Sequence, residues 1–359
     1  MPPFHAPRPA FQESARRRSL AVLFRAVAAM ATLAALGACG GGGGGDAPAP
    51  PSPPPAPAPS PAPAPTTPIA AQMSVPTPVG YDAERLAAFD RLNEIRLSAG
   101  LGMLAQDTAL DQAAQAHADW IIANDSFTHD ETDGTTGFSG VHWWDRDEAL
   151  GYVPLGGDEV MVGPELGAQG VDVLVNTVYH RAAMLAFEPV DVGVGWSGSV
   201  ASSISMPLVI DMTRPGMDTV RGLGQTAQVA IHGVAIWPLD GAREVALRLG
   251  LEVPDPVPAQ DVSSLGTPVS ITLDRMKTIS TTMFVLSEAS TGTPVPSQLL
   301  TACDDPNSLI PGSFVALVPL RALEPSTTYQ VSYSGSAVAF PSGATEALVR
   351  TWSFTTAAQ

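Results

Sequence analysis

The sequence predicts an α+β chain: helices followed by strands over residues 81–215, then an all-β sandwich over residues 266–359, all behind a disordered N-terminal linker. Three observations carry this. Apolar residues recur at three- and four-residue spacing between residues 82 and 124, the period of a helix face. From residue 266 onward short alternating runs are separated by turn signals such as Asp304-Asp305-Pro306-Asn307 and Pro341-Ser342-Gly343. Residues 40–68 are Gly, Ala, Pro and Ser apart from Asp46, Thr66 and Thr67, with almost nothing to bury.

Residues 1–38 read as a secretory signal. Arg16, Arg17 and Arg18 precede an apolar run from Ala26 to Ala35, and small residues precede Cys39. The run is shorter than the ~20 residues a membrane-spanning helix needs. Leu36-Gly37-Ala38-Cys39 resembles a bacterial lipobox, which implies lipidation of Cys39 and a membrane anchor there. Gly40, not Asp, follows that Cys; in Gram-negative sorting this implies the outer membrane or cell surface. Residues 39–80 form the linker. Six glycines, 40 to 45, are flexible, and the twelve prolines of residues 47–68 are stiff and extended. At ~3.1 Å per residue that tract reaches roughly 70 Å.

In residues 81–215 a helix is expected from Asp82 to Ala99, its stripe marked by Leu86, Phe89, Leu92 and Ile95. A second is expected from Thr108, as N-cap, to Asn124. A third runs from about Gly170 to Ala186. Strands follow at 192–196 and 206–212. Residues 216–265 form a β-rich connecting region, broken by Pro254, Pro256 and Pro258, whose allocation to either neighbour the sequence leaves open. Strands are expected at 269–273, 283–286, 314–318, 329–333 and 351–355.

The charge excludes some partners. The chain carries −17; without the five Arg and one Glu of residues 1–38 it keeps 13 basic and 34 acidic residues, net −21. Nucleic acid needs clustered Lys and Arg and is excluded as a partner. Two Cys, 39 and 303, exclude a disulfide framework and a Cys-rich zinc site. There is no G-x-S-x-G, H-E-x-x-H, C-x-x-C or phosphate loop.

The segment 92–196 resembles the CAP superfamily (cysteine-rich secretory proteins, antigen 5, pathogenesis-related 1; also SCP or PR1-like) in its bacterial, disulfide-free form. The matches come in the family's order: Leu92-Asn93-Glu94-Ile95-Arg96, Ala113 to Ala118, Asn124-Asp125-Ser126-Phe127-Thr128-His129, Asp145-Arg146 with Gly151-Tyr152, Glu159-Val160-Met161, Asn176-Thr177-Val178-Tyr179-His180-Arg181, and Val192-Gly193-Val194-Gly195. The resemblance implies a three-layer α-β-α sandwich with a cleft holding two His and up to two Glu. These fall on His129, Glu159 and His180. The second Glu falls near Thr177 and is missing, and Glu165 is a nearby substitute for Glu159.

Two His and a carboxylate suit zinc with an open position, so His129 and His180, with Glu159, are the candidate metal ligands. Without metal they can serve as general acid and base, or form a hydrogen-bonded cluster that only locks the cleft. No nucleophile stands out. His117 reads as a packed core or cleft-edge residue, His142-Trp143-Trp144 as a packed latch, and His232 as surface. Residues 323–331 and 352–356 resemble the bacterial Ig-like domains of surface proteins, which makes Tyr329 and Trp352 core anchors with satisfied polar tips. Three functions remain: a surface lipoprotein whose CAP cleft binds a lipid, metal or partner protein; a secreted hydrolase or peptidase; and a structural or adhesive surface protein.

Overall fold

A computed structural model describes residues 70–198, 204, 206–215 and 228–359. The expected signal, Cys39 and the Gly/Pro tract lie outside the described residues.

The first layer is helical. Helix α1 (Ala83–Ser98) starts where the Asp82 carboxylate accepts from Arg85 N. After strand β1 (Ala105–Gln106), helix α2 (Thr108–Asn124) is capped by Asp107, not Thr108: the Asp107 carboxylate accepts from Ala109 N at 2.9 Å. A short helix α3 (Trp143–Ala149) then leads into strand β2 (Pro154–Val162). The single helix expected over 170–186 is two, α4 (Gly167–Val175) and α5 (Tyr179–Met184). Between them the Thr177 hydroxyl turns back on the Leu174 carbonyl, at 2.8 Å. Strands β3 (Asp191–Trp196) and β4 (Leu208–Pro215) complete a four-stranded sheet in the order β1-β3-β4-β2.

Period-two alternation divides this sheet's faces. Val160 and Val162 pack with Leu92, Ile95, Val171 and Leu174 of α1 and α4. Met161 and Val209 pack with Ala114, Ala118, Trp120 and Ile121 of α2. The result is the three-layer α-β-α sandwich. Gly193 and Gly195 let α2 settle onto β3: a Cβ would lie 2.1 Å from the Leu110 backbone or 2.2 Å from that of Gln115. Gln72, from the end of the expected linker, is tied to this layer by bonds to the Met103 and Val190 carbonyls, both 3.0 Å.

The C-terminal half is an all-β sandwich. Strands β5 (Ala235–Trp237), β7 (Val269–Thr272), β10 (Phe314–Pro319) and β9 (Ser297–Leu300) form one sheet in the order β5-β7-β10-β9. Strands β6 (Ala242–Val245), β12 (Thr345–Thr356), β11 (Thr328–Ala339) and β8 (Lys277–Glu288) form the other in the order β6-β12-β11-β8. The connecting region thus supplies one strand to each sheet. Val315 and Leu317 face the core between the sheets, with Leu286, Val331 and Phe354. The Tyr329 hydroxyl accepts from Glu324 N at 2.8 Å, as its anchor role requires. Trp352 is buried too, but its indole N–H has no partner among the described residues.

Strand β10 is buried along its whole length. Its second face, Phe314, Ala316 and Val318, packs against Val178 and Ala182 around α5 and against Leu249 and Leu265 of the connecting region. The Arg181 guanidinium, fully buried, crosses this seam to donate to Pro268 O at 2.6 Å.

Candidate functional site

Two strands place the central carboxyls. Glu159 of β2 is the register partner of Asp211 of β4, so both point to the α2 side of the sheet. Helix α2 brings His117 over them, with Nε2 3.9 Å from Glu159 Oε1. Helix α3 inserts Arg146 from the side, and its guanidinium donates to Glu159 Oε2 at 2.5 Å. Arg146 also reaches the carbonyls of His129, Gly140 and Val141 at 3.2 to 3.4 Å, pinning the loop that carries His129. That loop begins at Asp125, which ends α2 in the left-handed region with φ 47°. Glu131 closes the loop by accepting from Ser139 N at 2.7 Å.

On this platform His129 donates from Nδ1 to Glu159 Oε1 at 2.8 Å. Glu159 is buried completely at its side chain, whereas that of His129 is 36% exposed. Nε2 is left for whatever enters from solvent. His117 is different. Nδ1 meets Glu131 and Nε2 meets Thr128 O, both at 3.0 Å; both partners accept, so the doubly protonated ring satisfies both. It is a buried part of the frame, as the sequence suggested.

The buried charges balance. Burial alone would push Glu159 up, but Arg146 and then His117 outweigh it and hold the carboxyl far below its ordinary value. Burial likewise opposes Glu131, which His117, the Ser139 N–H and Arg146 hold down. With both cations engaged, burial and then Glu159 push Asp211 well up. Asp147, pushed up to about 8, feels the same two influences in that order. Asp147 and Asp211 therefore sit in this cluster as neutral acids; Asp211 shares a side-chain hydrogen bond with Glu159, whereas the Asp147 oxygens lack hydrogen-bond partners among the described residues.

His180 is not joined to His129 or Glu159 by any hydrogen bond or ion pair among the described residues. It stands at the start of α5, where Nδ1 lies 3.0 Å from Thr177 Oγ1 and 3.2 Å from Glu252 Oε1. Glu165 contacts none of these groups in the described bonds. Zinc does not fit this arrangement as the sequence expected. His129 and His180 each keep Nε2 unengaged, but no group of three His, Cys, Asp or Glu among the described residues is placed to hold a metal. Sequence reasoning missed Arg146, Asp147, Asp211 and Glu252. Arg146 stood in a quoted motif, and its place in a short helix behind two Trp was the available signal.

His142 lies against Trp144, ring centroids 4.3 Å apart and tilted by 31°, and contacts Asp130 through Nδ1 at 2.9 Å; Trp143 and Trp144 are only partly buried and belong to none of the described core clusters. His232 and Cys303 are exposed.

The geometry agrees with the comparison to known families: residues 89–203 match the model of the cysteine-rich secretory protein family, CAP. This stretch is a CAP domain. Similar solved structures include an extracellular protein containing an SCP domain from Bacillus anthracis, 19% identical, with TM-score 0.31 over 36% of this chain and 40% of that one. An outer surface protein of Borrelia burgdorferi is also 19% identical, with TM-score 0.30 over 35% of this chain and 88% of that one. The chain thus spans well under half of the Bacillus protein. A search of curated proteins gives no match. Among the described residues no helix is long and apolar enough to cross a membrane.

Proposed function

We propose that the chain is an exported lipoprotein, held at the outer membrane or cell surface through Cys39, whose CAP domain binds an amphiphilic lipid with its polar end at His129. The observation that carries this is a partly exposed imidazole held by a buried carboxylate through Nδ1, with Nε2 in no described hydrogen bond. Such a group is preorganised to bond a ligand's polar end. Exposed apolar side chains in the same stretch of chain, Phe127, Val141, Leu150, Val153 and Leu155, favour an apolar body. The His129–Glu159 pair also resembles the orienting half of a general-base dyad. No hydroxyl or thiol bonds the His129 ring in the described structure, so binding is the better-supported reading over hydrolysis.

The test is a titration of the mature chain, with Cys39→Ser for solubility, against cis-parinaric acid, a fluorescent fatty acid. Saturable micromolar binding is expected, weakened at least tenfold in a folded His129→Ala variant. No saturable binding, or equal binding by that variant, would overturn the proposal.

A further inference from the structure

The CAP resemblance leaves the second cleft histidine without its carboxylate, because Thr177 occupies the place where one would stand. The structure supplies a carboxylate from elsewhere. Glu252 belongs to the connecting region, 49 residues beyond the end of the family match at 203. Its segment is laid along the α4–α5 junction. Asn176 Nδ2 donates to Arg248 O at 2.6 Å, and Gly250 N donates to Asn176 O at 3.1 Å. Gly250 lets the strap lie close there: a Cβ would stand 3.0 Å from the Thr177 methyl and 3.2 Å from Val173 O. This strap turns Glu252 inward, where it is buried, while Leu251 and Val253 on either side are exposed.

Glu252 is fully engaged as a carboxylate. Oε2 accepts from Val178 N at 2.9 Å; Oε1 accepts from Tyr179 N at 2.7 Å and His180 N at 3.2 Å, and lies 3.2 Å from His180 Nδ1. Three backbone N–H donors converge on the two oxygens, so the group beside His180 Nδ1 is held as an acceptor. The second contact of the ring leads to the same result. The Thr177 hydroxyl spends its proton on the Leu174 carbonyl, so toward His180 Nδ1 its oxygen can only accept. Both neighbours therefore demand a proton on Nδ1 and leave Nε2 bare. Free histidine favours the opposite tautomer. His129 is treated in the same way by Glu159.

We propose that Glu252 is the positioning residue for His180: it fixes the ring's orientation and tautomer from outside the segment that matches the CAP family. The positioning does not rest on the lipid reading, which assigns His180 no contact. The charged and titratable groups around it are Arg181, which is buried behind the strap, and Tyr179, whose hydroxyl is held by Asp305 and Asn307.

The experiment is a long-range proton–nitrogen correlation of the imidazoles in the 15N-labelled mature chain, with Cys39→Ser, at pH 8 and without ligand. His180 is assigned by its loss in His180→Gln. The wild-type ring is expected to be protonated at Nδ1 and bare at Nε2. Glu252→Gln is expected to shift the ratio toward the Nε2-protonated form, Thr177 alone keeping only part of the Nδ1 preference, while leaving the His117, His129 and His142 signals in place. Glu252→Asp, which keeps the charge, is expected to restore the wild-type ratio in part. A wild-type His180 protonated at Nε2 would overturn the proposal even if the Gln variant failed to fold. An unchanged tautomer in a folded Glu252→Gln variant would overturn it as well. Because no lipid is present, failure here is separate from failure of parinarate binding.

Discussion

Replacing Arg146 with Met isolates the charge pair beneath the cleft. Met matches much of the volume but supplies no donor, so Glu159 loses its 2.5 Å partner and stays buried beside Asp147 and Asp211. Removing one member of a buried pair costs about 3–5 kcal/mol. The depression of Glu159, the net of burial against Arg146, His117 and His129 together, has a similar size. Its carboxyl lies at about 2 instead of 4.5, and at 1.36 kcal/mol per pH unit this is about 3 kcal/mol. The three carbonyl contacts of 3.2 to 3.4 Å are long, and carbonyls retain a second lone pair, so they add little. The sign follows from linkage. A depressed carboxyl stabilises the fold above its unfolded value of 4.5, and that contribution is lost as pH falls through 4.5 toward 2. Without Arg146 the Glu159 carboxyl can take up a proton, so the variant's deficit must shrink on acidification. Urea unfolding of the mature chain, followed by tryptophan fluorescence, should show a loss of about 3–5 kcal/mol at pH 7. At pH 4 the loss should be smaller. A loss below about 1 kcal/mol at pH 7, or the same loss at both pH values, would refute the charge argument and leave packing as the cause.

Three further outcomes are expected. Asp147→Asn should match the wild type at pH 4 and unfold at higher temperature at pH 9. The wild-type carboxyl, raised to about 8 by burial first and then Glu159, contributes stability that is complete below 3.8 and lost as pH rises through 8. The gain, bounded by about 6 kcal/mol, is read from thermal midpoints at the two pH values, and a midpoint lowered at both would contradict the expectation. Gly193→Ala should cost about 3 kcal/mol or more in urea unfolding, because its Cβ meets helix backbone at 2.1 Å. Tyr179→Phe removes the hydroxyl that donates to Asp305 at 2.6 Å and accepts from Asn307 at 2.7 Å. It should cost about 1.5–3 kcal/mol by the same assay, and a neutral result would show that this link is inert.

What could be read in the sequence was what local chemistry decides. Helices α1 and α2 were legible to within a residue because a periodic apolar stripe fixes each body and an Asp stands before each start. His129 and Glu159 could be placed because their surroundings keep a family's order, and their contact follows from a loop and a strand both anchored on Arg146. The break at Asn176–Val178 was not legible, since the group satisfying the freed α5 amides is Glu252, more than 70 residues away. Glu252 itself reads locally as part of a proline-broken run. Asp147 and Asp211 look like ordinary surface acids, and only the sheet register and the seating of α3 make them buried and neutral. Strand β9 was missed because it is short and begins with Ser297 and Gln298.

The apolar seam between α5 and strand β10 bears on how such a chain is inherited and how it is cut. A CAP cassette ending after β4 would leave Val178 and Ala182 facing water and Arg181 without Pro268, and it would lose the carboxylate beside His180. Transplantation of this CAP segment into another polypeptide would therefore have to carry the strap and the first strands of the sandwich with it. Proteases would find no slack hinge where the Gly250 and Glu252 strap crosses, because its backbone and side chains are bonded to the α4–α5 junction.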